Sequence, residues 1–253
     1  MSETTEPAIV AETDDYAVVF KPPRIHCAPL RQGETGTLLD WYAAVFPPVL
    51  ALAGRKVDEG GLVHRLDFET QGLVLFAKNQ QSLESFQTQQ EEGTFIKEYS
   101  ALCLQRTSAR PAGFPPPPET PGSPPFTIES FFRPFGPGRK QVRPVIDGVH
   151  KERAADRGGF YKTGIIAVSA SSSPDDKTAG NFYSFTARIK RGFRHQIRCH
   201  LAWIGYPILN DPLYGPEQPA PESASGFLAL CAQGLFFKDP HTGQERDYRI
   251  EGL

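Results

Sequence analysis

Residues 181–215 read NFYSFTARIKRGFRHQIRCHLAWIGYPILNDPLYG, and a change of period inside this stretch sets the fold class. Tyr183, Phe185, Ala187 and Ile189 alternate with Ser184, Thr186 and Arg188, the period of two of a half-buried strand. Further on, Ile197, Leu201 and Ile204 fall at i, i+4 and i+7, which predicts one apolar stripe on a helix over Phe193–Ile204. Gly205 is placed to end that helix, and Pro207 follows. Arg194 and Arg198, four apart, would share a helical face at a small repulsive cost. With Arg188, Lys190 and Arg191 they form a basic run with no acid among residues 188–198. Such a run is either a solvated face or a site for phosphates, where cations displace counterions.

Working outward, Tyr16–Phe20, Gly72–Ala77, Phe95–Leu104, Thr163–Val168, Phe227–Ala232 and Leu235–Lys238 read as strands, with Asn181–Lys190 pairing back across a polar tip at Ser169–Gly180. Thr37 is positioned to cap a helix over Leu38–Phe46. A polar helix from Asn79 to Glu92 ends at Gly93. Strands outnumber helices and come at hairpin spacing, so the expected class is α+β with a mainly antiparallel sheet. Residues 107–125 hold eight prolines, which can neither donate a sheet ladder nor continue a helix, and predict a loop or semi-rigid spacer.

The 253 residues are 39 % apolar and include 23 glycines, ordinary for a globular chain of one large domain or two small ones. Residues 1–15 hold five acids and no base, and read as an acidic tail. Those five acids outweigh the whole net charge of −2. No apolar run is long enough to cross a bilayer, and the N-terminus resembles neither an export signal nor an Arg-rich presequence, so a cytoplasmic location is expected. Cys27, Cys103, Cys199 and Cys231 form no CxxC pair and read as free, buried thiols. His195 and His200 are five apart, which misses the helical metal-pair spacing. GxxxxGK[ST], GxGxxG and GxSxG are all absent, so metal, nucleotide-cofactor and serine-hydrolase chemistry lose support.

Three places can carry chemistry. In GGLVHRLDFETQG (60–72), Asp67 lies among apolar residues, where an ionised carboxylate requires a cation or hydrogen-bond donors. It is either one half of a strand-end ion pair or one of a glycosidase-type pair with Glu69. Lys97 and Tyr99 share a face of their strand, and a tyrosine so placed either packs in the sheet or stacks on a base. The third place is the basic run around Arg194 and Arg198.

These segments together carry a resemblance. Residues 61–79 (GLVHRLDFETQGLVLFAKN) resemble the HRLD motif of the RluA family of RNA pseudouridine synthases. Residues 97–102 (KEYSAL) resemble its Lys-x-Tyr motif, and residues 191–215 its third motif, with HQIRxHL and DPLYG intact. YAVVFKPPRIHCAP (16–29) is similar to its Asn-Lys-Pro segment. Phe193 stands where the family usually has Arg, with Arg194 one place later.

The resemblance implies a single catalytic domain over 1–253, without a separate N-terminal RNA-binding domain. It implies a long, mixed, mostly antiparallel sheet with a central cleft flanked by helices. The implied activity is isomerisation of uridine to pseudouridine in rRNA or tRNA, with no cofactor, no metal and no membrane, by a monomer. Asp67 would be the catalytic carboxylate and Arg198 its partner. Tyr99 would pack on the flipped uracil, Arg65 would fill the gap left by the base, and Ile197 would floor the pocket. His64, Arg194 and His195 would contact substrate, Arg194 through a phosphate. The competing reading is a non-catalytic RNA-binding or assembly factor on the same scaffold.

Overall fold

The computed structural model describes residues 6–56, 58–107, 110–119, 122–146, 159–171, 182–215 and 226–251. The chain divides into two compact units. The first takes its residues from both the N- and C-terminal parts (to Lys97, and from Cys231), and the second comprises the segment between, from Glu98 to Leu230.

The first unit is built on strands β1 (Ala8–Glu12), β2 (Tyr16–Lys21), β3 (Gln71–Ala77), β9 (Leu230–Lys238) and β10 (Glu245–Arg249). The pairs β1–β2, β2–β3 and β9–β10 are antiparallel, and β3 meets β9 in parallel at Gln71–Cys231 and Gly72–Ala232. Helix α1 (Leu38–Val45) starts at Thr37, whose hydroxyl accepts from Asp40 N–H while the Asp40 carboxylate accepts from Thr37 N–H. Helix α2 (Gln80–Glu92) is capped by Asn79, which accepts from Ser82 N–H, and stops where Gly93 turns left-handed at φ 71°. One apolar face of α2, Leu83 and Phe86, packs on Tyr16, Val18, Leu73, Leu75, Phe95, Leu235 and Phe237 to make this unit's core.

The acidic stretch is not a tail throughout. Ala8–Glu12 pairs along β2 with Ile9 and Val10 on an exposed edge. The two C-terminal strands expected at 227–232 and 235–238 are one strand, because the chain runs extended through Gln233-Gly234. Gly72 is required at the parallel contact. It has φ 121°, and a Cβ there would lie 2.4 Å from the Ala232 carbonyl oxygen. Gly72→Ala is expected to cost about 2–4 kcal/mol, read as a lower urea midpoint.

The second unit continues β4 (Ile96–Leu104) and adds β5 (Phe126–Phe135), β6 (Gln141–Val145), β7 (Tyr161–Ser171) and β8 (Phe182–Ile189) in the order β4-β8-β7-β5-β6. The β8–β7, β7–β5 and β5–β6 pairs are antiparallel, so both units keep the expected α+β character. The tip expected at 169–180 lies outside the described residues beyond Ser171. Helix α3 (Gln196–Trp203) begins three residues later than its apolar spacing predicts. His195 adopts φ 56°, a left-handed turn that no helix interior accepts, and the Gln196 side chain accepts from Phe193 N–H instead. Arg194 therefore precedes the helix and does not share a face with Arg198. As predicted, α3 ends at Gly205, at φ 92°, with Tyr206 N–H returning to Leu201 O.

The Pro-rich stretch does not act as a free spacer where it is described. The Trp203 indole donates to the carbonyls of Pro115 and Pro116 at 3.0 and 3.2 Å. Arg143 donates to Ala112 O, and its guanidinium lies 4.4 Å from the Phe114 ring. Phe114 itself is buried.

Candidate active site

Asp67 sits in the loop 63–70 of the first unit, half-buried, among neighbours that are fastened at several points. Val63 N–H donates to Leu75 O, and the Gln90 side chain donates to Val63 O. Leu75 N–H donates to His64 Nε2 at 3.3 Å, so His64 is a buried brace for β3. Leu66 N–H donates to Cys27 Sγ, and the thiol returns a bond to Leu66 O. Phe68 O accepts from Arg24 N–H at 2.7 Å and from Lys21 Nζ at 3.3 Å. Thr70 N–H closes the turn on Asp67 O at 3.1 Å. These backbone contacts preorganise the loop that carries the carboxylate.

Lys21 is the residue that motif reading passed over. It ends β2, is fully buried, and donates to the carbonyls of Pro22, Ile25 and Phe68. Burial lowers its ammonium to about 8, while the Cys27 thiol and the carboxylates of Asp67 and Glu69 favour the charged form. At neutral pH it stays charged and supplies a positive potential beneath Asp67. Cys27 is no nucleophile: burial pushes its thiol up, with Lys21 opposing. All four cysteines are free and buried, as expected. Arg65 is exposed and pairs with Glu59 at 2.9 Å.

Below His64 lies Lys97, nearly buried, 5.8 Å from the Phe95 ring centroid and with no acidic partner among the described residues. Burial first, and Arg55 second, lower Lys97 to about 8. Burial and then Lys97 hold His64 neutral, well below its usual range. The folded state therefore carries a disfavoured charge below pH 8, and that burden disappears above the unfolded value of about 10.5. Lys97→Met is expected to stabilise the protein at pH 7 by on the order of 2–3 kcal/mol, with the gain fading as pH rises from 8 towards 10.5. Paired thermal melts across that range check both the gain and its loss.

The second unit carries Tyr99 and Arg198. Tyr99 is buried on β4, two residues from Lys97 on the same strand face. The segment after α3 is tied to that strand: Leu209 N–H donates to Leu102 O, and Leu104 N–H to Pro207 O. Arg198 projects from α3 with zero exposure. Its Nε and a terminal nitrogen each donate to an Asp211 carboxylate oxygen at 2.8 Å, a fork-to-fork pair. Asp211 also accepts from the N–H groups of Leu213 and Tyr214, so it organises the DPLYG turn. The sequence reading did not single out Asp211, and its place in the DPLYG ending was the available signal.

Ile197 is buried beside Arg198. His195 Nδ1 lies 3.1 Å from the Tyr214 hydroxyl, which in turn accepts from Val142 N–H. Arg194 is exposed, but one guanidinium nitrogen donates to Arg139 O at 2.7 Å. Phe193 stacks on Phe132 with centroids 5.0 Å apart and rings 7° from parallel, which accounts for an aromatic residue at this place.

A family model described as RNA pseudouridylate synthase matches residues 15–203. A Chloroflexus aurantiacus protein named as an uncharacterized RNA pseudouridine synthase is 30 % identical over 228 residues, 90 % of this chain and 60 % of that protein. The ribosomal large subunit pseudouridine synthase D of Vibrio parahaemolyticus is 26 % identical, over 95 % of this chain and 65 % of its own. The chain spans less than two thirds of the length of both. The structure of human RNA pseudouridylate synthase domain containing 1 superposes with a TM-score of 0.66 over 98 % of this chain and 84 % of that one, at 19 % identity, a likeness of fold. The HRLD loop, the Lys-x-Tyr strand and the Arg198 helix all fall within the matched residues, and the chain belongs to the RNA pseudouridylate synthase family.

Proposed function

We propose that this protein isomerises uridine to pseudouridine in RNA, with Asp67 as the catalytic carboxylate. One observation carries the reading: a family-motif aspartate stands half-exposed in a loop whose backbone is fastened at Val63, Leu66, Phe68 and Thr70, above a buried lysine. The reaction breaks the C1′–N1 bond, turns the uracil, and joins C1′ to C5. The C5 proton leaves and N1 gains one, so there is no net redox change and no cofactor is needed. Asp67 acts at C1′, either by attack or by assisting a glycal route, and its negative charge serves in both.

Tyr99 packs on the displaced uracil and takes part in proton transfer at the sugar, over an apolar floor that includes Ile197. Arg198 supplies positive charge to the same step, with its geometry held by Asp211. Arg65, exposed two residues before Asp67, fills the space the base vacates; extruding that base costs a few kcal/mol, which such an insertion offsets. His195 and Arg194 bind backbone, and His64 shapes the loop from beneath. The relatives named for the ribosomal large subunit make rRNA the substrate to test first. Release of tritium from [5-³H]uridine-labelled rRNA is the expected result. RNA binding without any release would identify a non-catalytic binding factor instead.

A further inference from the structure

Seven large hydrophobic side chains are exposed among the described residues, and Phe68 is the one aromatic among them. Ile9 and Val10 lie on the β1 edge, and Val45 ends α1. Phe68 is different in kind. It directly follows Asp67, and its own carbonyl accepts from Arg24 N–H at 2.7 Å and Lys21 Nζ at 3.3 Å. Its ring leans on His26 with centroids 4.7 Å apart and planes 40° apart, and remains 38 % exposed.

His26 is fixed in turn, since its carbonyl accepts from Leu38 N–H at the start of α1. Arg24 reaches this bond at φ 64°, a conformation that a non-glycine residue adopts only under constraint. The chain therefore pins an aromatic ring from behind and leaves its outer side in water. Exposed Arg24 and Arg65 lie on the same loop pair, Arg65 in a 2.9 Å ion pair with Glu59, and Asp67 and Glu69 are the other carboxylates nearby. A rigid ring with cations beside it suits a nucleobase, because stacking needs a flat apolar surface and the backbone needs positive charge.

We propose that Phe68, backed by His26, is a stacking platform for an unpaired nucleobase of the RNA next to the nucleotide at Asp67. The placement beside a target nucleotide rests on the functional reading above; the stacking itself does not. Each stack contributes through the base and not through the phosphate, so the two contributions separate experimentally.

The test titrates full-length protein with a short oligouridylate and with an abasic oligomer of equal length and charge. Phe68→Ala is expected to weaken oligouridylate binding by roughly 5- to 100-fold, the range of one base–aromatic stack, and to leave abasic binding and the melting temperature unchanged. Phe68→Trp should retain the affinity and show indole quenching on binding. His26→Ala should give a smaller loss of the same selectivity. Equal loss for both oligomers, no loss, or no preference of the wild type for bases would overturn the platform. Tritium release with an unchanged KM in Phe68→Ala would sink the platform and leave the synthase reading standing. Phe68-dependent base binding without tritium release would do the reverse.

Discussion

Asp67→Asn is expected to form no detectable pseudouridine while binding RNA and melting like the wild type. The amide is nearly isosteric, and the contacts through the backbone of Val63, Leu66, Phe68 and Thr70 and through Lys21 remain. What disappears is the negative charge that has to act at C1′ in either route. Lys21 then loses one of the two carboxylates that favour its ammonium and shifts further down from about 8. Tritium release, gel-shift binding and a thermal melt on one preparation check all three statements. Turnover within tenfold of wild type would remove Asp67 from the chemistry, and a collapsed melt would reassign it to structure.

The second large effect is on stability. Arg198→Met is expected to lower unfolding free energy by about 3–5 kcal/mol, because it strands the Asp211 carboxylate in a site where both side chains have zero exposure. The Leu213 and Tyr214 N–H groups still reach Asp211 but carry no full charge to offset it. Adding Asp211→Leu should recover part of the stability, since a matched apolar pair avoids the stranded charge. It should recover no turnover if Arg198 also serves the reaction. Urea unfolding of the two single variants and the double variant gives the coupling directly. Near-additive losses would mean that the pair contributes little.

Helix ends were readable from single residues because capping is local: Thr37, Asn79, Gly93 and Gly205 each act within a turn of themselves. The start of α3 was not, because the left-handed conformation of His195 leaves no mark in an apolar pattern that runs straight through it. Strand β10, ERDYR, is charged and half-exposed, and pairs only because β9 offers its edge. Asp67, Tyr99 and Arg198 could be named from their motifs. Lys21 and Asp211 lie in the quoted Lys-Pro and DPLYG segments, but their roles could not be read there, since each acts through bonds to residues that the fold brings in: Phe68, 47 positions away, and Arg198, 13 away. A lysine before two prolines looks like the end of a strand, and only its burial gives it a role.

The discontinuous first unit has a consequence for how the protein is made. Its sheet and core need Leu235 and Phe237 against Tyr16, Phe86 and Phe95, so strands synthesised early wait for one synthesised well over a hundred residues later. At a translation rate of about 5–20 residues per second, the intervening segment of well over a hundred residues holds that gap open for roughly seven seconds or more. During that interval β3 lacks its neighbour beside Gly72, and the apolar faces of Leu73, Leu75 and Phe86 lack their cover. The nascent chain must therefore keep these surfaces from other partners until β9 emerges.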